Sequence, residues 1–122
     1  MEALITPKTK AIVVIHYAGV AYDMEKIMRI AKQHNLFVIE DAAQAIDAHY
    51  NINNNKTALG STGHLGTFSF HATKNITCGE GDALILNDHI FSERAAIIHE
   101  KGTNREASSK GFVTQYEWGR YR

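Results

Sequence analysis

The chain has 122 residues, in which 13 lysines and arginines balance 13 aspartates and glutamates. That length suits one domain with a real core, and the charge balance excludes a general electrostatic pull toward nucleic acid or anionic membrane. The one cysteine, Cys78, excludes an internal disulfide, and no apolar run approaches a membrane span or a signal core, so a soluble cytoplasmic protein is expected.

Residues 1–10 hold the only proline, Pro7, and read as the tail of a preceding helix followed by a turn. Ala11 to His16, AIVVIH, is a continuous apolar run ending in histidine, expected as a strand buried on both faces. Tyr17 to Tyr22 reads as a loop. Asp23 is then placed to cap a helix over MEKIMRIAKQHN, in which Met24, Ile27, Met28, Ile30 and Ala31 form one apolar stripe and Asn35 is the stop. Leu36 to Glu40, LFVIE, is a second buried strand. Strand, helix, strand predicts a right-handed βαβ unit with parallel strands, leaving Glu40 and Asp41 at the C-terminal edge of the sheet.

Ala42 to Tyr50 begins with small residues that allow close approach of backbone to a ligand or neighbour. The polar stretch INNNKTALGSTGH is expected as an exposed turn or hairpin. Its Gly60, Gly63 and Gly66 read GxxGxxG, which is not the dinucleotide fingerprint, and they precede a strand. Leu65 to Phe70, LGTFSF, is that strand. Gly79 and Gly81 lie in a GEGD turn that joins it to another strand, Ala83 to Asn87. Asp88 is placed to cap a helix over Ile90 to Lys101, with Phe91, Ala95, Ile97 and Ile98 on its buried side and Gly102 at its end. The remaining residues show no clear period and read as the start of a segment that continues beyond Arg122.

Chemistry concentrates at Lys74, just past the end of LGTFSF. Ligands of parallel α/β sheets bind at strand C-terminal ends, where loops are held on a rigid scaffold. An amine partly shielded there becomes a nucleophile able to form an imine with an aldehyde. A cofactor such as pyridoxal phosphate needs that lysine, a carboxylate at its ring nitrogen, and hydroxyl or backbone donors for its phosphate. Asp41, Lys74 and Ser69 have those roles available. Local roles remain open as well: a solvated charge for Lys74, a strand-end or capping acid for Asp41, a strand hydroxyl bonded to backbone for Ser69. The histidines are scattered without HExxH or paired-cysteine spacing, so no metal is expected.

The run TKAIVVIHYAGVAYDMEKIMRIAKQHNLFVIEDAAQA, followed by GHLGTFSFHATKNITCGEGDALILND, resembles the DegT/DnrJ/EryC1/StrS family of sugar aminotransferases. The EDAAQA and FSFHxTKN pair carries the resemblance, and it points within the family to the branch acting on dTDP-4-keto-6-deoxyglucose. It implies pyridoxal phosphate and the α/β aspartate aminotransferase fold (fold type I), a mostly parallel sheet flanked by helices. Residues 1–122 would be the central part of the large domain, with the N-terminal segment and the C-terminal small domain outside them. The resemblance makes Lys74 the Schiff-base lysine and proton shuttle, Asp41 the partner of the pyridine nitrogen, Gln44 a contact near the ring's phenolic oxygen, and Ser69 a phosphate ligand. It implies amino transfer from an amino acid, glutamate, to C4 of a dTDP-4-keto-6-deoxyhexose, in a site shared between the subunits of a homodimer. Where the family commonly reads GEGG this chain reads GEGD, with Asp82 at a position where glycine permits unusual backbone angles. Two alternatives are an inactive α/β interaction or assembly module and a related sugar-modifying enzyme of different regiochemistry. Lys74 disfavours the dehydratases that carry histidine there. The 122 residues by themselves are expected to show little or no transaminase activity.

Overall fold

The apolar run forms β1 (Ala11–Ile15), the amphipathic stripe forms α1 (Met24–Gln33), and β2 (Phe37–Asp41) follows. The computed structural model describes residues 1–52, 55–115, 117 and 118. β1 and β2 pair in parallel, from Ala11 beside Phe37 to Ile15 beside Asp41, as the strand, helix, strand pattern predicts. The Asp23 carboxylate accepts the Lys26 N–H at 3.0 Å and so satisfies a donor at the start of α1. At the other end Asn35 takes a left-handed φ of 52°, and the Leu36 N–H returns to the Ala31 carbonyl at 2.8 Å.

Met24, Ile27 and Ala31 of α1 pack against Val14, Leu36 and Val38, the main core. Only one face of the sheet is covered in this way. Val14 is buried, but Val13 and Ile15 are 61% and 54% exposed, so β1 is not buried on both faces. The physical reason is topological: β1 lies at the sheet edge with α1 on one side, and alternate residues point to the other. Phe37 of β2, an interior strand, is exposed through the same alternation, on the face opposite Val38.

The polar stretch makes an antiparallel hairpin of β3 (His49–Ile52) and β4 (Asn55–Ala58), whose tip at residues 53 and 54 lies outside the described residues. A second small core of Ala42, Ala45 and Leu59 sits beside it, with Tyr50 and Phe68 packed against them. β5 (Leu65–Ser69) runs parallel to β2, and β6 (Asp82–Leu86) runs antiparallel to β5. The four-stranded order is β1-β2-β5-β6. The GxxGxxG run serves close packing: a Cβ at Gly66 would overlap the Gly60 carbonyl, and Gly60 itself has a φ of 88°.

Met1–Asn87 form one compact unit and Asp88–Arg122 another. In the second, the Asp88 carboxylate accepts the Ile90 N–H at 3.0 Å, a 3-10 turn at His89–Phe91 leads into α2 (Ser92–His99), and the Gly102 N–H closes on the Ile97 carbonyl at 2.7 Å. Phe91, Ala95 and Ile97 are half-buried, whereas Ile98 is 52% exposed and does not belong to the buried side. Ala96 and Ile97 instead line a cleft with Ala107, Phe112 and Val113, which turns the next residue outward. A short α3 (Arg105–Ser109) forms where the sequence shows no period. Residues 119–122 lie outside the described residues. Among the described residues no helix is long and apolar enough to cross a membrane.

Candidate active site at the C-terminal edge of the sheet

Because β2 and β5 are parallel, Asp41 and Ser69 both stand at strand C-terminal ends on one edge. Lys74 follows in the connection to β6, in a turn closed by its own N–H on the His71 carbonyl at 2.9 Å. That connection is pinned at its stem by the Phe70 N–H on the Gly81 carbonyl at 2.7 Å and the Cys78 N–H on the Phe70 carbonyl at 3.0 Å. Within it the His71 ring lies 3.1 Å from the Thr73 hydroxyl and 3.6 Å from a Glu80 carboxylate oxygen. Lys74 is half-buried between exposed neighbours Thr73 and Asn75.

An open cavity of about 370 Å³ is lined by Lys74, Gln44, Ala18, Ala43, Ile46, Thr73 and Asn75. The structure thus brings Lys74 and Gln44 together, from segments thirty residues apart. Asp41 and Ser69 are not among the lining residues. One Asp41 oxygen accepts the N–H of Ala43, a lining residue, at 3.1 Å, and the Ser69 hydroxyl lies 3.5 Å from the His71 N–H it accepts. These are the local bonds open to strand-end polar groups. Neither exhausts its group, since a carboxylate keeps a second oxygen and a hydroxyl keeps its proton.

Gln44 is oriented by the turn after β1. Its Oε1 accepts the Ala18 N–H at 3.1 Å, which leaves the amide nitrogen's two donors for the cavity. Ala18 presents that N–H from a left-handed conformation, φ 52° and ψ 28°, uncommon for a residue with a Cβ. Amine, amide donors and a small side chain at Ala43 suit an anionic ring bearing a carbonyl, with the strand-end carboxylate of Asp41 at the same edge.

Sequence reasoning placed Glu40 at the edge beside Asp41 but missed its role. The Glu40 side chain is fully buried, as is His16. Its Oε2 accepts from His16 Nε2 at 2.8 Å and the Gly60 N–H at 3.0 Å, and its Oε1 accepts the N–H groups of Thr62 at 2.7 Å and Gly63 at 2.5 Å. A buried carboxylate survives only when its lone pairs are filled in this manner. The signal was present: both apolar runs, AIVVIH and LFVIE, end on a polar residue, and parallel register sets Val14 beside Glu40, two positions from His16 and so on the same face. Near this network Tyr50 bonds Thr62, and burial, reinforced by the charges of Glu40 and Glu25, holds its hydroxyl above the ordinary value of 10.0 despite that bond.

An α/β sheet with a lysine-bearing loop and a cavity beyond its parallel strand ends defines a ligand-binding α/β fold of the enzyme type. The chain belongs to the DegT/DnrJ/EryC1/StrS aminotransferase family, whose model matches residues 1–119. It is 43% identical over 102 residues to the GDP-perosamine synthase of Caulobacter vibrioides, covering 84% of this chain and 26% of that protein. It is 36% identical over 121 residues to the spore coat polysaccharide biosynthesis protein SpsC of Bacillus subtilis, covering 99% of this chain and 28% of that one. The solved structure of the sugar aminotransferase CalS13 from Micromonospora echinospora superposes with a TM-score of 0.80 at 30% identity, over 99% of this chain and 33% of that chain. The chain therefore spans less than a third of the length of the curated relatives it matches. Its fold is that of the fold-type-I aminotransferases, α/β with a mostly parallel sheet flanked by helices.

Proposed function

We propose that these residues form the cofactor-binding centre of a pyridoxal-phosphate-dependent sugar-nucleotide aminotransferase, which moves an amino group from an amino acid, glutamate, to C4 of a dTDP-4-keto-6-deoxyhexose. Residues 1–122 are the central part of its large domain. The N-terminal segment, the small domain and a second subunit of a cytoplasmic homodimer complete the site. The observation that carries the reading is the meeting of Lys74 and Gln44 in one cavity, at the strand edge that also ends in Asp41.

When bound, pyridoxal phosphate supplies an aldehyde that captures amino groups and a pyridinium ring that stabilises negative charge at the adjoining carbon. Lys74 would hold the cofactor through Nζ and would serve as the base for the proton on Cα of the amino donor. Asp41 would favour a proton on the ring nitrogen, because a carboxylate beside a pyridinium favours its charged form. Gln44 would offer its amide nitrogen to the ring's phenolic oxygen, and Ser69 its hydroxyl to the phosphate.

Titration of the protein with pyridoxal phosphate tests this directly. A visible band of lysine-bound cofactor should form and should vanish in Lys74→Ala. Borohydride fixation followed by peptide mass mapping should find the cofactor on the peptide containing Lys74. Cofactor fixed on another lysine instead would overturn the assignment. With the band established, amino transfer to dTDP-4-keto-6-deoxyglucose and to keto sugars of other regiochemistry identifies the acceptor.

A further inference from the structure

The pair His16 and Glu40 does not line the cavity, yet it ties together the three segments that furnish it. His16 follows β1, and its N–H donates to the Asp41 carbonyl at 3.0 Å. The turn after it, Tyr17–Gly19, carries the Ala18 N–H that orients Gln44. Glu40 precedes Asp41 in β2, so the two side chains point to opposite faces of the sheet. Through Gly60, Thr62 and Gly63, Glu40 holds the segment that leads into β5, the strand behind Ser69 and Lys74. A carboxylate taking four N–H donors cannot shift without dragging every one of them.

A second observation sets His16 apart from ordinary core. Its Nδ1 is, among the described residues, the buried side-chain nitrogen or oxygen without a hydrogen-bond partner. A leucine or phenylalanine would fill that space with no orphaned atom. The ring is therefore held for what its Nε2 does, and Nε2 touches Glu40.

We infer that His16 and Glu40 are positioning residues, which fix the spacing of Asp41, Gln44 and Lys74 around the cofactor; the inference rests on the cavity's being the cofactor site. Neither touches the ligand. They act by locking the ends of β1 and β2 and the approach to β5 into one arrangement, so that the acid on one side of the ring and the amine on the other keep a set geometry.

The visible band of the holo-protein, followed against pH, tests this because its midpoint reports the charges around the lysine-bound cofactor. His16→Leu should move that midpoint by about half a pH unit or more and weaken cofactor binding by a factor of about five or more. His16→Gln, whose amide can still donate to Glu40, should restore both to within a factor of about two. Glu40→Gln, of equal shape, should move the midpoint as His16→Leu does. A thermal midpoint lowered in His16→Leu and Glu40→Gln, with the band's pH midpoint and the cofactor affinity unchanged, would show a merely structural pair and sink the proposal alone. A wild-type protein that forms no band sinks the cofactor reading and this proposal together.

Discussion

Replacing Glu40 with leucine removes the hub of the sheet edge while keeping its volume, and the structure sets the size of the consequence. The side chain is fully buried and accepts from three backbone N–H groups and from His16 Nε2. Gly60 and Gly63 are themselves buried, Thr62 is half-buried, and His16 is buried. Leucine gains the transfer energy of an apolar side chain but leaves these donors without an acceptor, at about 1–3 kcal/mol for each group that water cannot reach. Some relaxation of the Gly60 to Gly63 segment admits water to the half-buried amide, so the net loss should fall at about 3–5 kcal/mol, as for other broken buried pairs. Domain stabilities of about 5–15 kcal/mol leave little after such a loss. Equilibrium unfolding in urea, followed by circular dichroism, should show the midpoint falling by about 2 M, since the slope for a chain of this size is about 1–3 kcal/mol per M. Glu40→Gln, which keeps one acceptor oxygen, should lose less. A leucine variant with a midpoint within about 0.3 M of the wild type, at unchanged slope, would refute the claim that this carboxylate organises the edge.

The remaining expectations concern packing, titration and charge. Gly66→Ala should cost about 2–3 kcal/mol, near the upper range of overpacking, because the obstructing atom is the Gly60 carbonyl and backbone cannot rotate away; urea unfolding measures it. Burial, with lesser help from Glu40 and Glu25, raises the Tyr50 hydroxyl above 10.0. The folded state therefore holds this proton more tightly than the unfolded chain. The stability that it contributes is full below pH 10.0 and is lost as pH rises through the raised value, so Tyr50→Phe should flatten the alkaline fall in urea midpoint from about pH 10 upward. Asp82 pairs with Ser69 across β5 and β6, on the same face. Its charge opposes a phosphate at Ser69 by about 0.5–1 kcal/mol, so Asp82→Gly should tighten cofactor binding by a factor of about two to five in a spectrophotometric titration.

Local chemistry was the most legible part of the fold. The Asp23 cap, the Asn35 stop, the Asp88 cap and the Gly102 terminus each depend on a few adjacent residues, and each forms where its residue type predicts. Parallel pairing of β1 and β2 followed from the length and period of the intervening helix. Exposure of Val13, Ile15 and Phe37 was not legible, because an apolar run reads alike whether one face or both are covered. Which face of the sheet α1 packs against decides that, and it is a nonlocal property. For the candidate site, the place of Lys74 after a strand was legible, and the structure adds the cavity that it shares with Gln44. The His16 and Glu40 network was not, since a histidine and a glutamate twenty-four residues apart declare nothing of each other until parallel register aligns the ends of their strands.

Asp82 shows how the reversal at β6 bears on Lys74. The resemblance implied a turn of unusual backbone angles at position 82, yet Asp82 is not among the residues of positive φ and instead begins β6 in register with Ser69. The left-handed position falls earlier, at Gly79, φ 88°, with open space around it, while a Cβ at Gly81 would meet the Cys78 sulfur at 2.5 Å. The turn therefore closes with an ordinary strand residue at position 82. Because β6 is antiparallel, the connection that carries Lys74 leaves and re-enters the sheet at the same edge, tied by the Phe70 and Gly81 pairing. A parallel crossover would carry the chain away toward the opposite edge. A loop pinned at both stems loses less freedom on holding its amine in one place, which suits the role proposed for Lys74.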